Sequence, residues 1–177
     1  MAKLLSICVA GVLVVLAILT SSAGATHNPG NGPPFDFVKG SGQLPFVTPF
    51  GVLDVSIAVD GRSDGVKVSG EYSATIRGII NVEISGHLTC LRTDGAEVVI
   101  SGVVEQTNNP IAPLGSGVIA MGIDNGRPDK QSGSPVDTVL ALPQGRPLTT
   151  CPRAISAGVQ LTSGDFIAHD GFAAPAG

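Results

Sequence analysis

The chain is short of several residue types that particular functions need. It contains no Trp, one Tyr and six Phe, and only 14% of its 177 residues are charged. Saccharide sites are commonly built on stacked aromatic rings, so this composition disfavours a site of that type. The net charge is −4, and no basic run occurs in the sequence. Because nucleic-acid binding needs a basic patch, the sequence argues against a nucleic-acid partner.

No cofactor or catalytic motif stands in the setting that its chemistry requires. No Gly-rich loop precedes a helix, as a nucleotide site would need. Residues 61–65, Gly-Arg-Ser-Asp-Gly, match the Gly-x-Ser-x-Gly pattern of hydrolases. A nucleophile elbow joins a strand to a helix, whereas the residues after this motif have a strand pattern. We therefore predict a hairpin turn at 61–65, no catalytic residue, no cofactor and no enzymatic activity.

The N-terminal segment has the parts of a secretory signal peptide. Lys3 precedes an apolar run over 4–19, and a small-x-small cleavage pattern, Ala-Gly-Ala, occupies 23–25. We expect residues 1–25 to be removed, 26–34 to form a flexible leader, and the mature protein to be secreted with no membrane association. The alternative is an uncleaved membrane anchor, for which an apolar run of about 16 residues is short against a bilayer core of ~30 Å.

Cysteine is scarce, but its number is informative. Of the three Cys residues, Cys8 lies in the predicted signal peptide, which leaves Cys90 and Cys151 in the mature chain. An even pair in a chain bound for an oxidising compartment predicts a disulfide. The alternative is two buried thiols.

Residues 35–172 have the pattern of one all-β domain, followed by a flexible tail at 173–177. Apolar residues alternate with polar ones, and no segment shows helical spacing. We predict an antiparallel meander of about eight strands that closes, or nearly closes, into a barrel, with a β-sandwich as the alternative. The alternation also directs Cys90 into the core. The predicted strands lie at 37–44, 53–60, 66–76, 80–90, 96–104, 116–124, 136–142 and, as one or two strands, within 157–169.

A short repeat suggests how the sheet bends. The triplets Val-Ser-Gly, Ile-Ser-Gly and Ile-Ser-Gly recur every 16 residues and end at Gly70, Gly86 and Gly102. Hairpins centred on Gly78 and Asp94 would align these glycines in one row across three strands. Because glycine in a strand interior favours a bend or a close approach, such a row is typical of a barrel corner.

The same register predicts two polar groups on the outer face. Glu83 would lie directly opposite Glu105, either as two solvated carboxylates or as a pair that holds a cation or a basic side chain of a partner. The second group is a Ser-His-Glu set: His87, Ser69, Ser101 and Glu71. A flat, exposed sheet face offers neither an oxyanion hole nor protection from water, so we expect no nucleophilic catalysis from this set.

One segment of the chain is rich in oxygen ligands. Asp124, Asn125 and Asp129, with Asp137 downstream, are the candidates for a cation site. Calcium prefers such oxygens, but the EF-hand spacing and its closing Glu are missing, and turn chemistry explains the Asn-Gly pair without a metal. We therefore expect no bound metal. A zinc site is not expected either, because the histidines are scattered, at 27, 87 and 169.

Longer motifs resemble a known family. The segments 90–104, Cys-Leu-Arg-Thr-Asp-Gly-Ala-Glu-Val-Val-Ile-Ser-Gly-Val-Val, and 123–128, Ile-Asp-Asn-Gly-Arg-Pro, with Asp137 downstream, are similar to a family of small secreted actinobacterial proteins. Gly-Ser-Gly-Gln at 40–43 and Ser-Gly-Asp-Phe-Ile-Ala-His-Asp at 163–170 extend the likeness over most of 38–170. The resemblance implies a secreted all-β domain and supplies no catalytic residue.

Together these features favour a secreted, non-enzymatic β-barrel module that binds a partner outside the cell or at the cell envelope. The Pro-containing loop at 108–114 is one candidate contact. The alternative is a carrier that holds a small apolar ligand in the barrel lumen. A carrier needs an unfilled lumen, whereas the predicted inward residues are mostly Val, Ile and Ala beside interior glycines.

Overall fold

The protein is all-β, as the alternation of its apolar residues predicts. The computed structural model describes residues 35–49, 51–78, 81–125, 137–154 and 158–171. The predicted signal peptide, leader and tail, and Asp129, lie outside the described residues. Ten strands form one sheet. They are β1 Asp36–Thr48, β2 Gly51–Ser63, β3 Val68–Arg77, β4 Val82–Asp94, β5 Glu97–Val103, β6 Gln106–Thr107, β7 Gly117–Ile123, β8 Thr138–Gln144, β9 Val159–Gln160 and β10 Ser163–His169.

The sheet is an antiparallel meander that curls into an open, barrel-like form. The hydrogen-bonded order is β10-β1-β2-β3-β4-β5-β7-β8-β9, and β6 pairs with β4. Strands β9 and β10 follow one another in the chain but lie at opposite ends of this order. Within the described ranges no strand ladder joins them, and we call the gap between β10 and the strands β7 and β8 the seam. The predicted meander and its barrel-like curvature are confirmed.

One face of every long strand packs into a single apolar core. Odd-numbered residues of β2 and even-numbered residues of β3 point inward, as the parity of the sequence predicts, and in β1 the inward residues are the even-numbered ones. Burial of these side chains is the main stabilising term of the fold. The buried core consists of Val38, Leu44, Ile57, Val59, Tyr72, Leu88, Leu91, Val98, Ile100, Val139, Leu161, Phe166 and Ala168.

The predicted row of Gly70, Gly86 and Gly102 is wrong, because each of the two strand pairings is shifted by two residues from the predicted register. Tyr72 lies opposite Gly86, and Leu88 lies opposite Gly102, so the glycines form a diagonal. The physical reason is the Tyr72 side chain, whose ring occupies the space that a Cβ on Gly102 would need, 2.5 Å away. Its hydroxyl donates a hydrogen bond of 3.1 Å to the carbonyl of Val103. Burial raises the pKa of Tyr72 to about 12, helped by the nearby Glu105 carboxylate.

A β-bulge in β4 reverses the inward parity that the sequence predicts for Cys90. The register shifts between Leu88 and Cys90, after which Leu91 joins the core. Cys90 is 3% exposed, but it lies opposite Ser101, on the face of the sheet that points away from the core. The prediction that Cys90 is buried is confirmed, and the prediction of its face is wrong, because simple alternation does not allow for an inserted residue.

A segment after β8, residues 145–152, covers this second face, and we call it the strap. The predicted disulfide, Cys90–Cys151, ties the strap to β4. The Ser101 hydroxyl is fully buried; it accepts a hydrogen bond from the amide of Leu148 and donates one to the carbonyl of Val118. In the chain-entropy model, a bridge across 61 residues contributes about 4 kcal/mol.

The predicted turn at 61–65 lies further along the chain. Strand β2 continues to Ser63, and Gly61 pairs with Gly70. The turn is made by Asp64, whose carboxylate accepts the amide hydrogens of Val66 and Lys67 at 2.9 and 2.7 Å. These two hydrogen bonds lower the pKa of Asp64. Residues 61–65, the Gly-x-Ser-x-Gly match, therefore lie where β2 turns into β3, as expected, but the first three of them still belong to β2.

Candidate functional site

Two of the predicted cation ligands, Asp124 and Asp137, lie at the seam. Asp124 follows β7 and Asp137 precedes β8, so both stand beside β10. The carboxylate of Asp137 accepts the amide hydrogens of Phe166 at 2.7 Å and Asn125 at 2.9 Å. Asp124 accepts the amide hydrogen of Ala168 at 2.8 Å. Side-chain oxygens thus bind the amides of β10 that a neighbouring strand would otherwise bind.

Two further aspartates extend these contacts at the same end of the sheet. Asp36 accepts the amide hydrogens of Thr93 and Gly171 at 3.3 and 3.1 Å. Asp170 accepts the amide hydrogen of Gly95 at 3.0 Å. Each bond joins segments that are far apart in sequence, so these carboxylates hold the chain ends of the domain to its central strands.

The burial of Asp137 perturbs its ionisation. The residue is only 3% exposed. Desolvation raises its pKa to about 6, and the nearby carboxylates of Asp124 and Asp165 also raise it, against the lowering effect of the two backbone hydrogen bonds. One oxygen of Asp165 is itself buried with no hydrogen-bond partner in the described structure. The seam is therefore acidic and poorly solvated.

The described seam residues do not form a metal centre. In the part of the chain that the structure describes, no group of three or more His, Cys, Asp or Glu side chains is arranged to hold a metal ion. Asn125 contributes its amide hydrogen to Asp137, and Asp124 points one oxygen at β10. Asp129, the fourth predicted ligand, lies outside the described residues. The side-chain oxygens of Asp124 and Asp137 that suggested a cation therefore accept hydrogen bonds from backbone amides.

The Ser-His-Glu set predicted on the outer face is not assembled. Glu71 lies directly opposite His87, whereas the predicted register placed it on the diagonal, two residues away. Ser101 lies under the strap with both hydrogen-bonding directions occupied, and Ser69 accepts a hydrogen bond from Arg62. Neither serine hydroxyl is placed as a nucleophile beside His87.

The predicted juxtaposition of Glu83 and Glu105 is also wrong. Strand β6 pairs Gln106 with Ser85, and Asn108 bonds the backbone of Glu83, so Glu105 lies nearer to His87. The Nδ1 atom of His87 is 2.9 Å from a Glu105 carboxylate oxygen, and both side chains are half exposed. Glu105 therefore pairs with the imidazole of His87, which attracts it, instead of facing the like-charged carboxylate of Glu83.

The lumen offers little room for a ligand. The apolar cavity between the core strands has a volume of about 40 Å³, and its lining includes Val59, Ile100 and Phe166. Pockets for drug-sized ligands are typically about 300–1,000 Å³. Because the core side chains fill the interior, the geometry favours a binding surface over a lumen carrier.

A hairpin arm projects from the other end of the sheet. Beyond Gln43 strand β1 has no ladder partner in β10, and beyond Asp54 strand β2 has none in β3. Residues 46–48 and 51–53, which we call the arm, pair in the ladder only with each other. Its side chains Phe46, Val47 and Val52 are 42%, 77% and 57% exposed. Leu53 is the buried residue of the arm, so the exposed apolar side chains lie on the part that projects beyond the sheet, where such groups are unusual without a partner.

The loop predicted as a contact site lies at the same end as the arm. The connection from β5 to β7 contains the Pro-rich loop, in which Ile111 and Leu114 are 61% and 67% exposed. We call this part of the molecule, the arm with the 108–114 loop, the apolar end. The arm is not among the predicted elements, although the run Val-Thr-Pro-Phe-Gly-Val at 47–52 carries a signal: apolar residues around a turn, outside any alternating pattern.

Comparison with known proteins gives no match: no protein-family model, no curated protein and no solved structure is similar to this chain. The resemblance to small secreted actinobacterial proteins therefore stays a prediction. Within the described ranges no helix is long and apolar enough to cross a bilayer.

Proposed function

We propose that this protein is a secreted, non-enzymatic module that binds a protein partner outside the cell or at the cell envelope, through its apolar end. One observation carries the proposal. Among the described residues eight large hydrophobic side chains are exposed, and five of them lie at the apolar end. Exposed apolar groups on connections between strands are typical of interaction sites, because burying them against a partner is favourable.

The remaining features agree with this function. The disulfide is compatible with an oxidising compartment, as secretion would require. The resemblance of 90–104 and 123–128 to secreted actinobacterial proteins supports the same localisation and an actinobacterial source. The histidine and serines of the outer face are exposed or occupied by other bonds, which supports a role in binding over one in catalysis.

Secretion is tested by the N-terminus of the product. Expressed as residues 1–177 in an actinobacterial host, the protein recovered from the medium should begin at Thr26, because small residues precede that position. An intact Met1 in a membrane fraction would contradict secretion and favour the anchor.

Binding is tested by removing apolar character without changing shape. Val47→Thr with Val52→Thr keeps the β-branched side chains of the arm. Val66→Thr is the matched control, because Val66 is 89% exposed at the opposite end of the sheet. Immobilised wild type and control should retain the same partner from the culture medium or a cell-envelope extract, and the double variant should lose it. Equal retention by all three, or none by any, would refute the proposal.

A further inference from the structure

A second surface, on the outer face of β1, β2, β3 and β10, has a different chemistry from the apolar end. A hollow of about 300 Å³ opens there to solvent. Six side chains with hydroxyl or amide groups line it, and none of its lining residues is charged. The polar lining residues are Ser41, Gln43, Ser56, Ser73, Thr75 and Ser163. We call this feature the hydroxyl hollow.

The strand register explains the shape of the hollow. Ser41, Ala58 and Ser73 lie opposite one another in a row across three strands, and Ala58 is the smallest of the outward side chains at its centre. A second row, Gln43, Ser56 and Thr75, runs beside the first. Directly opposite side chains stand about 5 Å apart. Short side chains therefore form a floor with hydrogen-bonding groups at regular intervals.

Longer, charged side chains form the two rims. On one side Lys39 lies opposite Asp60 and donates a hydrogen bond to it at 2.6 Å. On the other side Asp54 lies opposite Arg77. On the first side Glu71 also lies opposite Asp60, and at the β10 border Asp165 lies opposite Ser41, so the surroundings of the hollow carry more negative than positive charge and disfavour an anionic ligand. An ionic ligand would find no counter-charge on the floor.

The floor has free hydrogen-bonding capacity. Among the described residues, the hydroxyl groups of Ser41, Ser56, Ser73 and Thr75 make no side-chain hydrogen bond, while Ser163 donates one to the Gln43 side chain. Each free hydroxyl group can donate one hydrogen bond and accept two. A ligand that matches this pattern carries many neutral groups that also donate and accept.

From the volume, the lining and the rims, we propose that the hydroxyl hollow binds a neutral saccharide. Sugar hydroxyl groups have the same dual character as the serine and threonine hydroxyls of the floor, and a hollow of about 300 Å³ is large enough for a small part of a sugar chain. This departs from the expectation that the composition gives: no aromatic residue lines the hollow, so hydrogen bonds, many of them through water, supply the affinity in place of ring stacking. Binding at one such site is therefore weak.

The test is an NMR titration of ¹⁵N-labelled protein with four probes: neutral hexasaccharides of glucose, mannose, xylose and arabinose. At least one probe should produce saturable shifts of amide signals from the floor strands. Thr75→Val keeps the shape of the side chain and removes one hydroxyl, so it should weaken binding about 5-fold. Ala58→Tyr should abolish binding by filling the floor. Ser69→Ala, on the same strand as Thr75 but outside the hollow, should leave the dissociation constant unchanged.

Three results would overturn the proposal: no saturable shift with any of the four probes at millimolar concentration, shifts confined to other surfaces, or binding unaffected by both floor variants. Melting curves of each variant show whether it is folded, and Thr75→Val remains a valid test if Ala58→Tyr is not. The hollow and the apolar end are separate surfaces, so this titration and the retention assay succeed or fail independently.

Discussion

The strongest quantitative prediction concerns the buried carboxyl group of Asp137. In the unfolded chain this group ionises near its ordinary pKa of 3.8, and in the folded protein near 6. Between these values the folded protein holds one proton more than the unfolded chain, so the free energy of unfolding falls as pH rises. The difference in pKa corresponds to about 3 kcal/mol of stability. This contribution is fully present below about pH 4 and is lost as the pH rises to about 6, and outside that window the group makes stability neither rise nor fall with pH.

Replacing Asp137 by Asn should remove this component. The amide has nearly the same shape and cannot ionise, but its NH2 group cannot accept a hydrogen bond, whereas both oxygens of the carboxyl group, protonated or not, have lone pairs for the amides of Phe166 and Asn125. Leaving one buried amide unpaired costs about 1–3 kcal/mol at any pH. At pH 4 the variant should therefore be less stable than the wild type, and by pH 7 the two should be close, because the wild type has lost about 3 kcal/mol.

The assay is urea denaturation of both proteins between pH 4 and pH 8, with the free energy of unfolding obtained by linear extrapolation. The informative quantity is the difference between the two proteins, since other titrating groups contribute equally to both. Asp54→Asn, an exposed carboxylate on the outer face of β2, is the matched control and should follow the wild type. If the wild type does not lose stability relative to Asp137→Asn between pH 4 and pH 7, the account of the seam is wrong.

Three further outcomes are expected. Gly102→Ala should destabilise the protein by about 1–3 kcal/mol in urea denaturation, because the new Cβ would overlap the Tyr72 ring, whereas Gly145→Ala, with open space around it, should be nearly neutral; equal effects would contradict this packing. Reduction of the disulfide should lower the melting temperature by about 10 °C or more, and a smaller change in calorimetry would show that the strap is held mainly by its hydrogen bonds. Glu105→Gln should change the free energy of unfolding by less than about 1 kcal/mol, since its pair with His87 is half exposed, and a larger loss would reveal an additional partner.

The alternation of side chains allowed most of the fold to be predicted from the sequence. The inward set of β1 to β3, the single sheet and the disulfide all follow from residue types and spacing, because a half-buried strand must bury every second side chain. The hairpin registers could not be predicted in this way. Parity is unchanged when a hairpin slides by two residues, so only packing, here that of Tyr72 against Gly102, selects the actual pairing.

The candidate sites depended on information that the sequence holds only indirectly. Ser101 keeps its predicted outward direction, but the strap covers it and occupies its hydroxyl group, which removes it from the predicted polar set. The partners of Asp137 come from residues 12 and 29 positions away, which no local pattern indicates. The hydroxyl hollow is visible only after β10 and β1 are aligned, because Ser163 and Gln43 are 120 residues apart.

The seam has a consequence for the behaviour of the protein in concentrated solution. A sheet that does not close leaves an edge strand with unpaired amides. Strands of other molecules can pair with such an edge and start a fibre. Here the amides of Phe166 and Ala168 are already bound by Asp137 and Asp124. An incoming chain would have to displace these carboxylates without offering them new donors. The acidic groups thus occupy the positions on β10 at which the addition of a strand would start.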